Sequence, residues 1–250
     1  PNRNLAVMVH VYNLAIWEDI YSYIKNLKNL DFDLYINLAS NNNNTFEKPE
    51  YKKFISKLNK IDVCDNLYIT YSDNKGMDIG GFLISYIKMI DLGLNYNSII
   101  KIHTKSNDNW RFAMLYALLG TESIINNNLK LIKSESVGMI GNDLIPLHSS
   151  VNRNSFRYIN IYLKIFNIKY NNQGHVVPGT IFWMKGSILR NYFNKQKLIT
   201  SYNSFQQDYC GLKENRKEGR PHAFERFFGM LVESSGNKSV RFDSNPEDYN

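Results

Sequence analysis

Tyr68-Ile69-Thr70-Tyr71-Ser72-Asp73-Asn74-Lys75-Gly76-Met77-Asp78-Ile79-Gly80-Gly81-Phe82 passes from a β-rich run through a polar, glycine-bearing turn into the apolar pattern Phe82-Leu83-Ile84-Ser85-Tyr86-Ile87. The run Leu67 to Tyr71 reads as a strand and Phe82 to Ile90 as a helix. Glycines in such a turn let backbone approach a ligand closely, and a helix start offers unpaired N–H groups to phosphate. Asp78 in the turn has the chemistry to bind ribose hydroxyls, a metal or a cationic side chain; the alternative is an ordinary strand-to-helix connection with Asp78 as helix cap. The spacing is neither the Gly-x-Gly-x-x-Gly fingerprint nor a Gly-x-x-x-x-Gly-Lys-Ser/Thr phosphate loop.

Outward from that stretch, short apolar strands alternate with helical patterns. Val7 to Tyr12, Phe32 to Leu38, Ser98 to His103 and Val137 to Gly141 read as strands, and Ile16 to Leu27, Tyr51 to Leu58 and Trp110 to Leu119 as helices. This rhythm predicts an α/β fold with a mostly parallel, Rossmann-type sheet flanked by helices. Ligands bind such sheets beyond the carboxyl ends of the strands, which singles out His10, Ser40, Asp73 to Asp78, His103 to Ser106, and Asn142 with Asp143. In the second half, Phe156 to Phe166 reads as a helix, Thr180 to Met184 as a strand, and Pro221 to Leu231 as a short helix led by proline. The basic, polar stretch Glu214 to Arg220 reads as a mobile loop.

Composition narrows the function classes. With 250 residues, 43% hydrophobic and 14% aromatic, the chain can bury a real core, and one domain is the better reading. No apolar run approaches the ~20 residues that span a bilayer. Pro1 in place of an initiator Met suggests a processed or excised piece of a longer chain. The two cysteines, Cys64 and Cys210, lack metal-ligand spacing and suit a reducing, cytoplasmic setting. The formal charge of +7 points to anionic partners, but no basic run of nucleic-acid type occurs.

Three constellations carry candidate chemistry. At the end of the fourth strand, alternation puts Lys101 and His103 opposite Ile100 and Ile102, and Thr104, Lys105 and Ser106 would offer donors to a diphosphate. His222 and Glu225 share one helix face, with Arg226 adjacent: an acid or base, a carboxylate base and an anion clamp. Asp143 could accept from a sugar hydroxyl or cap the next segment, and Trp183 could stack on a sugar or belong to the core. Trp110 reads most simply as a packing residue.

Taken together, Val9-His10-Val11-Tyr12 with Trp17, Asn74 to Leu83, Lys101 to Ser106 with Trp110-Arg111, Pro178 to Met184 and His222 to Gly229 resemble the rhamnan synthesis F family of polysaccharide glycosyltransferases. The resemblance spans roughly Leu5 to Gly236. It implies a GT-A-like enzyme that moves a sugar, rhamnose among the candidates, from a nucleoside-diphosphate sugar to a glycan or lipid-linked glycan in surface polysaccharide synthesis. A nucleotide-binding half would cover about residues 1–145 and an acceptor and catalytic half about 146–250. The implied location is cytoplasmic, with peripheral membrane contact open. His10, Asn74, Gly76, Asp78, Gly80, His103, Thr104, Lys105 and Arg226 would then serve the donor, while Gly179, Thr180, Trp183 and Asp143 would serve the acceptor. Glu225 would be the base, His222 its assistant and Asp208 the reserve base. Such enzymes often hold Mg²⁺ or Mn²⁺ on an Asp-x-Asp pair at the strand end where this chain has His103-Thr104-Lys105, so Asp78 is the one residue left for a metal. The missing acidic pair keeps a second reading open, a non-catalytic glycan- or nucleotide-binding module.

Overall fold

A computed structural model describes residues 2–41, 43–151, 153–169, 173–205 and 219–249. Asp208, Cys210 and most of the stretch from Glu214 to Arg220 lie outside them; Arg220 itself already opens a helix. The first half alternates β1 (Asn2–Val11), α1 (Trp17–Ile24), β2 (Phe32–Ser40), α2 (Pro49–Leu58), β3 (Asn66–Asp73), α3 (Met77–Asp91), β4 (Asn95–His103), α4 (Asp108–Leu119), α5 (Glu122–Lys133) and β5 (Val137–Gly141). The second half adds β6 (Ile145–Pro146), α6 (Leu147–Ser150), α7 (Arg153–Phe166), β7 (His175–Val176), β8 (Phe182–Lys185), α8 (Gly186–Tyr192), α9 (Lys195–Ser204), α10 (Arg220–Ser234) and β9 (Lys238–Arg241).

Seven strands form one sheet in the order β3-β2-β1-β4-β8-β5-β9. β1 pairs in parallel with both β2 and β4, and β2 with β3, while β8 runs antiparallel to its neighbours β4 and β5. The chain is therefore α/β with a mostly parallel central sheet flanked by helices. The order reverses between β1 and β4, so the carboxyl ends of those two strands open the crevice where such sheets take ligands. His10 and His103 are register partners there.

Strand alternation divides the core between the two sheet faces. Ala6, Met8, Ile99, Phe182 and Met184 pack with residues of α3, α7 and α10, such as Phe82, Tyr162 and Phe224. Val7, Val9, Ile100, Ile102 and Trp183 pack on the other face with residues of α1, α4 and α5, such as Trp17, Leu118 and Ile132. Among the described residues no helix is long and apolar enough to cross a membrane.

Three differences from the sequence expectation have physical causes. Helix α3 starts at Met77 rather than Phe82, so Gly80 and Gly81 belong to the helix and not to a ligand-facing turn. Helical glycine is costly, but a Cβ on Gly80 would overlap the Lys75 carbonyl oxygen, and one on Gly81 would overlap the His10 ring and the Asn37 amide. The strand expected from Thr180 begins at Phe182, because Thr180 has a left-handed φ of 54°. Helix α5 was not anticipated in its asparagine-rich segment. It is capped by the Thr121 hydroxyl, and its buried Asn128 donates to the Ala117 and Leu118 carbonyls at the end of α4 (3.0 and 3.2 Å).

The Gly80 contact yields the first prediction. Gly80→Ala should destabilise the fold by about 1–3 kcal/mol through overpacking against backbone that cannot yield. Urea denaturation followed by circular dichroism checks this; an unchanged midpoint would contradict the close approach of α3 to the Lys75 carbonyl.

Candidate functional site

The carboxyl ends of β1 and β4, the start of α3, the loop before β8 and the first turns of α10 enclose a cleft of about 790 Å³. That is an ordinary size for a small-molecule site. His10, Asn74, Asp78, His103, Thr104, Lys105, Asp143, Gly179, Thr180, His222, Glu225 and Arg226 all line it. Six separate sequence segments thus converge on one place. A second hollow of about 700 Å³ adjoins it, sharing Tyr12, Thr104 and Ser106 and extending to Ser40, Asn41 and Tyr51.

Lys101 organises the floor. Alternation turns it, as expected, to the face opposite Ile100 and Ile102, where it is 1% exposed between the Phe82 and Phe182 rings. Its ammonium forms an ion pair with Asp78 and donates to the Thr180 carbonyl and hydroxyl oxygens at 2.9 and 3.0 Å. The Thr180 hydroxyl in turn donates to Asp78. Burial alone would raise the Asp78 carboxyl, but His103, which is charged only in acid, and Lys101, with hydrogen bonds from Lys101 and Thr180, hold it well below the usual carboxylate range. Burial pulls Lys101 down against the attraction of Asp78.

Of the three kinds of partner that the sequence leaves open to Asp78, a cationic side chain is the one present, Lys101. The Asp78 Oδ2 is already met by an ammonium and a hydroxyl, and a hard divalent cation there would face Lys101 directly. Among the described residues no three His, Cys, Asp or Glu side chains are grouped for metal ligation. The donor set does not fit a resident Mg²⁺ or Mn²⁺.

The histidines are neutral. Burial pushes His103 down to about 3 despite Asp78, and burial also lowers His10 and His222. His10 Nδ1 lies 2.9 Å from Asn37 Oδ1, while Asn37 Nδ2 donates to Thr70 (3.1 Å); the Asn37 oxygen therefore accepts from His10 Nδ1–H and leaves Nε2 as the lone-pair nitrogen. His103 Nδ1 is buried without a hydrogen-bond partner among the described residues, 3.6 Å from Asp78.

The ionisable groups nearer the mouth are held differently. Glu225 accepts from the Gly179 N–H at 2.5 Å. Burial raises its pKa against that bond and against Arg226, Asp78 raises it further, and Lys105 lowers it. Arg226 donates to the Ser150 and His222 carbonyls at 2.5 and 2.7 Å. Lys105, lowered by burial, lies 3.7 Å above the Trp110 ring. Arg111 anchors the Lys105 carbonyl (2.5 Å) while pairing with Asp19 and Asp108.

Several expected ligands have other tasks. Trp183 is fully buried on the opposite sheet face and donates from its indole to the Leu118 carbonyl at 3.3 Å, so it is core and not an acceptor platform. Gly76 faces the Phe205 ring and Gly80 the Lys75 carbonyl; neither lines the cleft. Thr104 lines it, but its hydroxyl oxygen accepts from the Tyr12 and Asn13 N–H groups (3.0 and 3.2 Å), which leaves the O–H as its remaining donor. Asp143 sits exposed at the rim and accepts from the Leu144 N–H at 2.8 Å; it caps no helix, since α6 begins at Leu147 after Pro146. Asp208 lies outside the described residues. Conversely, Trp110 is not packed away: it is 40% exposed and lines the cleft. Lys101 and Tyr12 were also overlooked as site residues; the strand alternation already placed Lys101 beside His103.

Comparison of the chain with family models, with curated proteins and with solved structures finds no match.

Two expectations arise from this geometry. Asp78→Ala leaves the buried Lys101 ammonium unpaired, so it should lose about 3–5 kcal/mol in urea unfolding, and the double variant Asp78→Ala with Lys101→Met should recover much of the loss. If the single variant is as stable as the wild type, the ion pair does not hold the site.

Acid should also unfold the protein earlier than its carboxylates alone require. His103 has its pKa lowered from 6.5 to about 3 on folding, so between those values the unfolded chain binds the proton and the folded chain does not. Stability is therefore full above about pH 6.5 and declines as pH falls toward 3, by up to about 1.4 kcal/mol per pH unit for each such histidine. Asp78, lowered from 3.8, adds a further loss only below about pH 4. Urea midpoints between pH 7 and 4 test this, with a shallower slope expected for His103→Gln.

Proposed function

We propose that the protein is a GT-A-like glycosyltransferase of the kind that the rhamnan synthesis F resemblance implies. It would transfer a sugar from a nucleoside-diphosphate donor to a glycan hydroxyl. The observation that carries this reading is the Glu225 carboxylate, with its pKa raised by burial, in the same cleft as Lys105 and Arg226 at the carboxyl ends of β1 and β4. A raised carboxyl is a stronger base than an ordinary one once ionised, and cations beside it are suited to a departing diphosphate.

In this reading Glu225 Oε2, the oxygen not bound to Gly179, deprotonates the acceptor hydroxyl as that oxygen attacks the anomeric carbon. The bond from the anomeric carbon to the phosphate oxygen breaks, and the charge on the leaving diphosphate develops beside Lys105 and Arg226. The adjoining hollow with Tyr12, Asn41 and Tyr51 supplies aromatic and amide groups suited to the nucleoside. That moves the nucleoside away from the Gly76 to Gly81 segment. His10 and His103, both neutral, suit hydroxyl groups of the sugar rather than phosphate.

A second reading has a specific observation in its favour. The cleft's cations are all engaged, Lys101 with Asp78, Lys105 over Trp110 and Arg226 on two carbonyls, as befits a rigid binding module.

Glu225→Gln separates the two. A general base contributes ~10²–10⁴-fold to rate, so transfer should fall by that factor while donor affinity, measured by calorimetry, stays near normal. Arg226→Ala should weaken donor binding and turnover together. Near-normal transfer by Glu225→Gln would remove it as base. Nucleotide-sugar binding without turnover by the wild type would support the module.

A further inference from the structure

Glu225 accepts from the Gly179 N–H, and that N–H sits in an unusual stretch of backbone. Gly179 and Thr180 are consecutive left-handed residues, with φ of 81° and 54°. Glycine adopts this region freely, whereas a β-branched residue does so only where its surroundings enforce it. The enforcement is visible. The Lys101 ammonium grips both oxygens of Thr180, and the Thr180 hydroxyl is tied to Asp78. These three residues come from α3, β4 and the loop before β8, and the nearest part of α10 carries Glu225.

We propose that Asp78, Lys101 and Thr180 are positioning residues: the cluster they form holds Thr180 in the left-handed region and so keeps the Gly179 N–H on Glu225. The geometry gives the costly buried ion pair on the floor of the cleft a task, and the bonds to both Thr180 oxygens account for the positive φ of Thr180. The titratable and polar groups around Glu225 are His222 and Arg226 on its own helix, and from the neighbouring elements Lys105 after β4, Lys101 on β4, Asp78 on α3 and the Gly179 N–H. Among these, the Gly179 bond and Arg226 oppose the upward push of burial most strongly. The catalytic consequence rests on the proposed role of Glu225; the structural link from Thr180 to Glu225 does not.

The test is an NMR titration of the Glu225 carboxyl and the Gly179 amide, run beside a transfer assay. In the wild type the Gly179 amide proton should shift with the same midpoint as Glu225, and Glu225→Gln should abolish that shift. Thr180→Val removes the hydroxyl but keeps the branched shape. It should raise the Glu225 midpoint, uncouple the Gly179 amide, move the acid limb of the transfer profile upward and lower kcat about tenfold at nearly constant KM for the donor. Thr180→Ser, which keeps the hydroxyl, should restore the coupling relative to the valine variant. A folded Thr180→Val protein with an unchanged Glu225 midpoint would overturn the proposal, as would a wild-type Gly179 amide that ignores the Glu225 titration. If the valine variant does not fold, the wild-type and Thr180→Ser titrations decide. Should the coupling hold while Glu225→Gln transfers normally, the positioning stands and the glycosyltransferase reading falls.

Discussion

The buried ion pair between Asp78 and Lys101 is the constraint on which the arrangement of the cleft depends. Two charges removed from water cost several kcal/mol each, and their attraction offsets this only when every remaining donor and acceptor is well placed. That requirement explains why Lys101 reaches both oxygens of Thr180, and why Asp78 also receives the Thr180 hydroxyl. Satisfying one buried ammonium thus fixes the start of α3 against β4 and against the loop before β8. Gly80 and Gly81 make the same junction possible from the other side, because only hydrogen in place of Cβ lets α3 lie against the Lys75 carbonyl and the paired His10 and Asn37 side chains.

The fold was legible where periodicity and burial agree. β1 and β4 are buried on both faces, so their apolar runs stand out, and the first half of the sheet could be read strand by strand. Residue pairs set by local geometry were equally legible: Lys101 with His103 by strand alternation, and His222 with Glu225 by helix spacing. Legibility failed where a tertiary contact overrides a local rule. Glycine ordinarily ends a helix, yet Gly80 and Gly81 sit inside one; a threonine before a strand ordinarily joins it, yet Thr180 is held left-handed. Trp183 was misassigned because one register position decides its face, and β8 turns it toward Leu118 rather than the cleft. Asp78 could be placed from sequence, with a cationic side chain among its open partners, but which cation it meets was not legible. Its ammonium lies 23 residues away, and no spacing rule links the two.

The two ends of the sheet are built to different standards. At the amino end, buried Asp33 accepts from Arg3 (2.7 Å), Asn66 (2.8 Å) and Tyr96, and Tyr96 also bonds Tyr35 (2.9 Å). Strong acceptors are matched there by several donors, as stability demands. The carboxyl end tolerates a buried His103 nitrogen without a hydrogen-bond partner among the described residues and a carboxyl pushed upward by burial. It also holds Met77 and Thr180, two of the three non-glycine residues with positive φ among the described residues. Backbone strain of this kind persists only where the surroundings enforce it, and Met77 and Thr180 place it at the end where the sheet order reverses.

Charge balance in the cleft couples the two halves of the proposed transfer. Asp78 and Lys101 cancel on the floor, so the groups left near the mouth are Lys105 and Arg226 against Glu225 and the exposed Asp143. With Glu225 ionised, Lys105 is drawn to it and to Asp78. Once Glu225 takes a proton from an acceptor hydroxyl, that attraction disappears, and the field of Lys105 and Arg226 is left to act on a developing phosphate charge. Proton transfer to the carboxylate and stabilisation of the leaving group would then reinforce each other, without any side chain having to move far. The same coupling explains why a raised Glu225 is an asset beside two cations that would otherwise keep it ionised. Burial supplies the upward push, while the Gly179 N–H, Arg226 and Lys105 oppose it.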